Sequence, residues 1–564
     1  MIRHLPEAGI LFILFTGCSA VLAAGSITGK VSFEDPQQGA VILRAYRLDT
    51  FSDGRVKPLS KADIYGAATP AQVLQLPEAG NYAFPGLSPG YYAVVAFCDA
   101  DNNGNLGFDP PEPFGWYNDL SGSRFSAINL TEGNKTGADI LLRTPTPFAL
   151  QEKHTEHGAL KRINGLPVLQ LWGTAQERGF AHGYLAGRQI IDFFEFYVLE
   201  DSWRSPKRYE TVFVPFLENR LAPPHEFLAE CDAVMNGMKA AGTNMYVRLL
   251  GRDFTRTDLL AVNAYIERRA ASPGPAPSSC TQFAFWGERT KGTSVNGGLI
   301  AARNMDGECD VRKVTVSHFL LFAVDPAEPG HKRWVSAMWP GFVGTISGVN
   351  EEGLYSMENA GGSGPGPVPD RVVPCSWIQR DLLEHAGSDA TPGTVLDRMK
   401  KYGCSEGGIT AAGSIILWAV PYHGQEAPAF VYEGGRSGYA VRKPGDVRPE
   451  DPFCIMASNH HKVYGYDPDH PDRSLGVPVS FSSRWRYEAG MQKLEARARQ
   501  RKPLGTEEAK ALLQTVAHGT TEYSVIFLAN EKRILVAVDD LKTDLWDAPY
   551  QKWVEYGFEE LFIR

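Results

Sequence analysis

The chain has 564 residues, enough for two or three domains, and its 43% hydrophobic and 21% charged residues are those of an ordinary soluble globular protein. Its 56 Lys and Arg against 65 Asp and Glu leave a formal charge of −9, with the basic residues dispersed. No basic stripe argues for nucleic acid, and eight cysteines are too few for a disulfide-dense scaffold.

The opening segment, "MIRHLPEAGILFILFTGCSAVLAAGS", reads as an export signal over residues 1–24. Arg3 supplies a thin positive region, and Gly9 to Leu22 an apolar stretch too short to span a bilayer. Two endings compete. Small residues in "VLAAG" suit plain cleavage near Ala23 or Ala24, whereas "FTGC" resembles a lipoprotein box that would place a lipid anchor on Cys18. The expected location is periplasmic or extracellular, with or without that anchor. Removal of the signal leaves seven cysteines, an odd number, so at least one thiol is expected to be free.

Residues 26–145 read as a small all-β sandwich. Short alternating runs such as "GSITGKVSF", "AVILRAYRL" and "GYYAVVAFCD" are separated by Gly, Pro and Asp. Within them, "CDADNNGNLGFDPPEPFG" sets Asp99, Asp101, Asn103 and Asn105 at alternate positions, followed by Asp109. Alternating oxygen side chains around a glycine turn suit a structural calcium loop. They suit a solvated Asx-rich turn as well, because the closing Glu of an EF-hand is missing at Pro110.

A linker near "LRTPTPFALQEKHTEHG" precedes a mainly helical region over 160–279. "INGLPVLQLWG" reads as a strand, and "TAQERGFAHGYLAGRQIIDFFEFYVLED" as a helix opened by a capping box of Thr174 and Glu177. Two further helical runs, "PHEFLAECDAVMNGMKAAG" and "TDLLAVNAYIERRA", lead into "ASPGPAPSS", which cannot be regular structure.

At Cys280 the character changes. "CTQFAFWG" alternates, and at least seven further strand-like runs follow to residue 564, among them "KVTVSHFLLFAV" and "GTISGVNEEGLYSMEN". Helical runs lie between them without strict alternation, which predicts an α+β layered domain. There is no phosphate loop, no Rossmann glycine pattern after a strand, no HExxH, no GxSxG, and no Cys/His cluster with zinc spacing. No cofactor is expected for catalysis.

If "ERTKGTSVNG" is the turn of a hairpin, residue numbers across the ladder sum to roughly 585, and Cys280 faces Arg303 to Asp306. A nucleophile, a guanidinium and a carboxylate are then brought together. Were the Ser279–Cys280 bond broken, Cys280 would carry an α-amine with a reference pKa of about 7.7–8.0, able to take the thiol proton itself. His182, His460 and His461 are alternative bases, for which capping or surface roles are expected.

These segments resemble the N-terminal-nucleophile (Ntn) hydrolases of the acyl-coenzyme A:6-aminopenicillanate acyltransferase type, peptidase family C45. "CTQFAFWGERTKGTSVNGGLIAARNMD" is similar to the start of that family's mature chain, and "WGTAQERGFAHGYLAG" to its pro-segment helix. "GTISGVNEEGLYSMENAGG", "ASNHH" and "SSRWRYEAG" resemble its later segments in the same order. The likeness covers about 160–540. It implies a four-layer αββα core over 280–564, preceded by the sandwich, and cleavage or transfer of an acyl group from a linear amide such as an N-acyl amino compound or small peptide. It also implies Cys280 as autoproteolytic nucleophile, oriented by Arg303 and Asp306. Asn359 would lie near the acyl carbonyl, Asn459 would stabilise the oxyanion, and Arg484 would complete the polar network. Two rivals stand beside this: a cysteine hydrolase with a histidine base and no self-cleavage, and a binding protein on an inactive scaffold.

Overall fold

The computed structural model describes residues 24–564 apart from 61–62, 120–124, 149–150, 273–279, 308–309, 405–406, 518 and 542–546. The expected signal, Cys18 and Ser279 therefore lie outside the described residues. The first eight strands form two facing sheets. Asn81–Leu87, Gly25–Phe33 and Ile140–Leu142 make one; Gln72–Leu76, Ala40–Leu48, Tyr91–Asp99 and Phe114–Trp116 make the other, with Ile128–Asn129 also paired to Tyr91–Asp99. Alternation sorts them: Tyr82, Phe84 and Leu87 point inward from one strand and meet Val41, Leu43 and Val94 from the opposite sheet.

The remainder is a four-layer αββα core. A ten-stranded sheet runs from Gly438–Arg442 through Ser414–Ala419, Tyr355–Ala360 and Trp334–Met338 to Lys153–Thr155. A six-stranded antiparallel sheet is ordered Cys454–Ala457, Thr281–Phe285, Ile300–Asp306, Thr521–Leu528, Arg533–Val538 and Val554–Gly557. Ala284, Ala301 and Phe527 of the second sheet share one apolar cluster with Met357, Ile415 and Leu417 of the first. The other face of the six-stranded sheet carries Phe283, Phe285, Ile300 and Ile526. It packs on Tyr487, Met491 and Leu512 from helices Phe481–Arg499 and Thr506–Thr515. A sheet covered on both faces needs apolar residues at successive positions, and every residue of Thr281–Phe285 is buried.

Helices Ala175–Asp192 and Cys375–His385 cover the ten-stranded sheet, and His225–Ala240 packs on the first of them. Thr174 and Glu177 form the capping box expected at the start of the first. That helix crosses His225–Ala240 at glycines: a Cβ on Gly183 would meet the Val234 carbonyl oxygen at 2.0 Å, and one on Gly237 that of Phe180 at 2.0 Å. The close approach turns Phe180 and Tyr184 outward, where their rings stack 6.2 Å apart.

Two local expectations change. "KVTVS" is a helical turn, Val314–Ser317, because Asp310 accepts the N–H groups of Arg312, Val314 and Thr315 and bends the chain before the strand begins at Leu320. The strand expected in "INGLPVLQLWG" forms as Leu166–Gly173, but the segment before it, read in part as linker, also supplies strands, Lys153–Thr155 and Gly158–Ile163. Leu166–Gly173 pairs in parallel with Leu320–Pro326, and Gly158–Ile163 pairs with Leu166–Gly173. The chain on either side of residues 273–279 thus builds one sheet.

The sandwich sits on the segment that follows Asp306. Arg312, 2% exposed, donates to Glu200 at 2.9 Å and to the carbonyls of Phe114 at 2.6 Å and Arg143 at 2.9 Å. Its guanidinium lies 5.0 Å from the Trp116 ring centre and 4.9 Å from that of Phe196. Arg143 faces Glu195 at 3.2 Å and Glu200 and Glu34 at 3.7 Å each. The Tyr65 hydroxyl donates to the Val311 carbonyl at 2.7 Å.

Candidate active site

The hairpin has the register that its turn implies: Thr281 opposes Asn304 and Gln282 opposes Arg303. This brings Cys280, Arg303 and Asp306 together at the end of two central strands. Arg303 Nη2 donates to Cys280 Sγ at 3.3 Å, and the Cys280 backbone N–H donates to Asp306 Oδ2 at 3.1 Å. The second Asp306 oxygen accepts the Thr521 hydroxyl at 2.5 Å, which fixes the carboxylate. Cys280 has φ +83°, in the left-handed region that a residue with a Cβ adopts only at a cost.

Arg303 is fully buried, and its other donors go to neutral acceptors. Nη1 reaches the Ile346 carbonyl at 2.6 Å and the Ser347 hydroxyl; Nη2 reaches the Glu358 carbonyl and Met305 Sδ, the latter at 3.1 Å. No carboxylate among the described residues lies within ion-pair distance of it. Burial pushes the Cys280 thiol above its ordinary range, while the Arg303 guanidinium pulls it back. Burial would depress Arg303, but Cys280, Tyr523 and Glu358 outweigh it and hold the guanidinium above its usual value. The positive charge persists beside the sulfur.

The second guanidinium at the thiol is Arg486. Its Nη1 donates to the Cys280 carbonyl and to Thr281 Oγ1 at 2.6 Å, its Nη2 to Asn459 Oδ1 at 2.8 Å, and it stands 3.9 Å from Asp306. Arg484, the position expected from the resemblance, is half-buried and has no recorded bond to this group. Helical phase explains the shift. Ser483, Arg486, Tyr487, Gly490, Met491 and Leu494 form the buried stripe of helix Phe481–Arg499, and Arg484 lies off it. That 3–4 spacing is legible in the sequence and was the missed signal.

Asn459 Nδ2 donates to the Ala360 carbonyl at 2.8 Å, and its backbone N–H to Ser483 Oγ at 2.9 Å. Asn359 Nδ2 lies 3.3 Å from the Ala457 carbonyl and 3.2 Å from that of Ser458, leaving its buried Oδ1 without a partner. The two asparagines therefore bridge strand Tyr355–Ala360 to the loop after Cys454–Ala457, next to the hairpin.

The three histidines are buried, contrary to the surface or capping roles expected. His182 Nε2 accepts the Gly341 N–H at 3.0 Å, and burial lowers its pKa to about 3. His460 bonds Ser483 Oγ at 2.8 Å, and His461 bonds Ser474 Oγ at 2.9 Å. None is a recorded partner of the Cys280 thiol.

The acidic loop of the sandwich closes on itself. Asp99 accepts the N–H groups of Asn103 and Gly104, Asp101 accepts Asn103, and Asn103 accepts Asn105. Asp99 and Asp101 converge with Glu112, which accepts from Ala100 and Gly107; Asp109 is not one of the converging carboxylates. The loop carboxylates accept backbone N–H groups, as an Asx-rich turn requires.

Cys280 is 3% exposed in the continuous chain. The helical segment before the linker is docked beside it: Glu267 accepts the Cys375 N–H at 2.9 Å, and Arg269 donates to the Gly361 carbonyl at 3.2 Å. A surface cavity of about 410 Å³, lined by Phe148, Arg162, Phe319 and Asp540 among others, lies away from these residues.

No protein-family model and no curated protein matches the sequence. Solved structures similar to the chain include an N-acylethanolamine-hydrolysing acid amidase orthologue from Caenorhabditis elegans, with 15% identity, 44% of this chain and 93% of that one covered, and a TM-score of 0.31. A mutant conjugated bile acid hydrolase from Clostridium perfringens has 11% identity, coverage of 49% and 96%, and a TM-score of 0.30. Penicillin V acylase from Agrobacterium tumefaciens has 12% identity, coverage of 46% and 83%, and a TM-score of 0.28.

Proposed function

We propose that this chain is an exported, self-processing cysteine Ntn hydrolase that cleaves linear amides, N-acyl amino compounds or small peptides, with acyl transfer to an amine as its variant. The observation that carries it is the Cys280 thiol held 3.3 Å from an Arg303 that has no carboxylate partner among the described residues, with the Cys280 nitrogen on Asp306. A thiolate formed there gains a fixed counter-charge.

Processing begins when the thiol adds to the Ser279 carbonyl carbon. The C–N bond breaks, its nitrogen takes a proton, and a thioester remains. Water hydrolyses that ester, releasing the Ser279 carboxylate and restoring the thiol. The positive φ of Cys280 favours the step by straining the bond that breaks. The new amine stays at Asp306 and becomes the base that a separate histidine would otherwise supply.

In turnover the amine takes the thiol proton and the thiolate attacks the substrate carbonyl. The free Nδ2 hydrogen of Asn459 stabilises the oxyanion, held by Arg486 on its Oδ1. The amine then passes its proton to the leaving nitrogen. Water attacks the acyl thioester, giving a carboxylic acid and the free enzyme. Both chain pieces supply strands to the ten-stranded sheet, so they should stay together after cleavage.

The test is to incubate purified protein with a panel of N-acyl amino acids, stop the reaction in acid, and measure the mass of the Cys280 peptide. An acyl adduct on Sγ that disappears with hydroxylamine supports the proposal. Amide turnover with no adduct, unchanged in Cys280→Ala, overturns it.

A further inference from the structure

Away from Cys280, two histidines and a glutamate converge on the outer layer. Helix Cys375–His385 ends in Glu384 and His385, and the loop between strands Leu320–Pro326 and Trp334–Met338 brings His331 against them. One nitrogen of each histidine and a Glu384 oxygen all lie within 4.8 Å of one another. His331 Nδ1 is 3.3 Å from Glu384 Oε2, and the two imidazole centres are 4.3 Å apart.

The surroundings orient each group. Arg380 Nε at 2.8 Å and Trp334 Nε1 at 3.1 Å both donate to Glu384 Oε1. Glu384 Oε2 is buried and faces His331 Nδ1, and neither atom has another hydrogen-bond partner among the described residues. His385 Nδ1 bonds the Asp381 carbonyl at 2.8 Å, which makes Nδ1 the protonated nitrogen and leaves the Nε2 lone pair free. The Lys332 N–H donates to the Glu384 carbonyl at 2.9 Å, tying loop to helix end. Glu384 and His385 are each steered by a neighbour, and a simple salt bridge between His331 and Glu384 would leave His385 superfluous.

We propose that His331, Glu384 and His385 form a binding site for a zinc-class divalent cation. Two imidazoles and one carboxylate select zinc, cobalt or nickel over calcium or magnesium, which prefer all-oxygen shells. Tetrahedral bonds of about 2.1 Å set ligand atoms about 3.4 Å apart. The His331–Glu384 separation already meets that figure, and a His385 nitrogen lies within 4.8 Å of both ligand atoms. Water fills the fourth position. The ion clips the loop to the end of the helix.

The experiment uses the full chain, stripped with EDTA and dialysed into metal-free buffer. Zinc chloride alone is titrated by calorimetry, and cobalt chloride by visible absorption. One equivalent of zinc is expected, with tetrahedral cobalt bands and a rise in Tm. His331→Asn and His385→Gln should each weaken zinc binding at least tenfold and abolish the Tm rise, with their metal-free melting close to wild type. Neither touches the Cys280 group, so amide turnover is the internal control for folding. Absence of zinc binding overturns the site. So does zinc binding that both variants retain, which would place the ion elsewhere.

Discussion

Two of the buried arginine groups among the described residues are wired differently. Where the sandwich meets the core, Arg312 and Arg143 face Glu200, Glu195 and Glu34, so positive charge is met by carboxylates. Around Cys280, Arg303 spends its donors on carbonyls, a hydroxyl and sulfur, while Arg486 reaches a carbonyl, a hydroxyl and an amide and pairs with Asp306 at 3.9 Å. A balanced buried network holds two layers together; an under-balanced one leaves a field for an anion that has yet to form. The contrast separates architecture from chemistry within one hydrophobic interior.

The contrast breaks most readily at the interface. Arg312→Ala leaves Glu200 buried beside Arg143 alone and should cost about 3–5 kcal/mol in urea unfolding, with little change in turnover per folded molecule. A loss below about 1 kcal/mol on that same scale would show the network to be idle.

On the helical segment before the linker, Glu267 tests the reverse imbalance. Burial raises its carboxyl to about 7 from an ordinary 4.5, although the Cys375 N–H opposes the shift. The folded form then holds a proton that the unfolded chain has lost, so stability falls as pH rises between about 4.5 and 7, by on the order of 3 kcal/mol. Glu267→Gln should flatten that part of the stability profile. An unchanged slope between pH 4.5 and 7 contradicts the assignment.

Arg486→Lys keeps the charge but loses the fork joining Cys280, Thr281 and Asn459. Turnover should fall about 100-fold while Tm moves little. An equal change at Arg484→Lys would return the role to the earlier position. The smallest effect belongs to the sandwich loop, where Glu112→Ala frees the Ala100 and Gly107 N–H groups and should cost about 1 kcal/mol.

The hairpin was legible because two strands and a turn leave few registers, and because "CTQFAFWG" alternates after a segment that cannot be regular structure. The capping box at Thr174 was legible for a similar reason: its partners are three residues apart. What escaped depends on distant partners. His182, His460 and His461 look like surface groups until Gly341, Ser483 and Ser474 are folded against them. Asp310 turns an apparent strand into a helical turn through bonds no periodicity records. The seat of the sandwich at Asp310–Val316 is set by Arg312, one charged residue among 56 Lys and Arg.

The central claim is that Cys280 becomes an N-terminal residue. Intact mass and N-terminal sequencing of purified wild type and Cys280→Ala address it most directly. The account predicts two associated fragments, the second beginning at Cys280, and a single uncut chain in the variant. An uncut wild-type chain that still hydrolyses amides would contradict it, and an uncut, inert one would favour a binding protein on this fold.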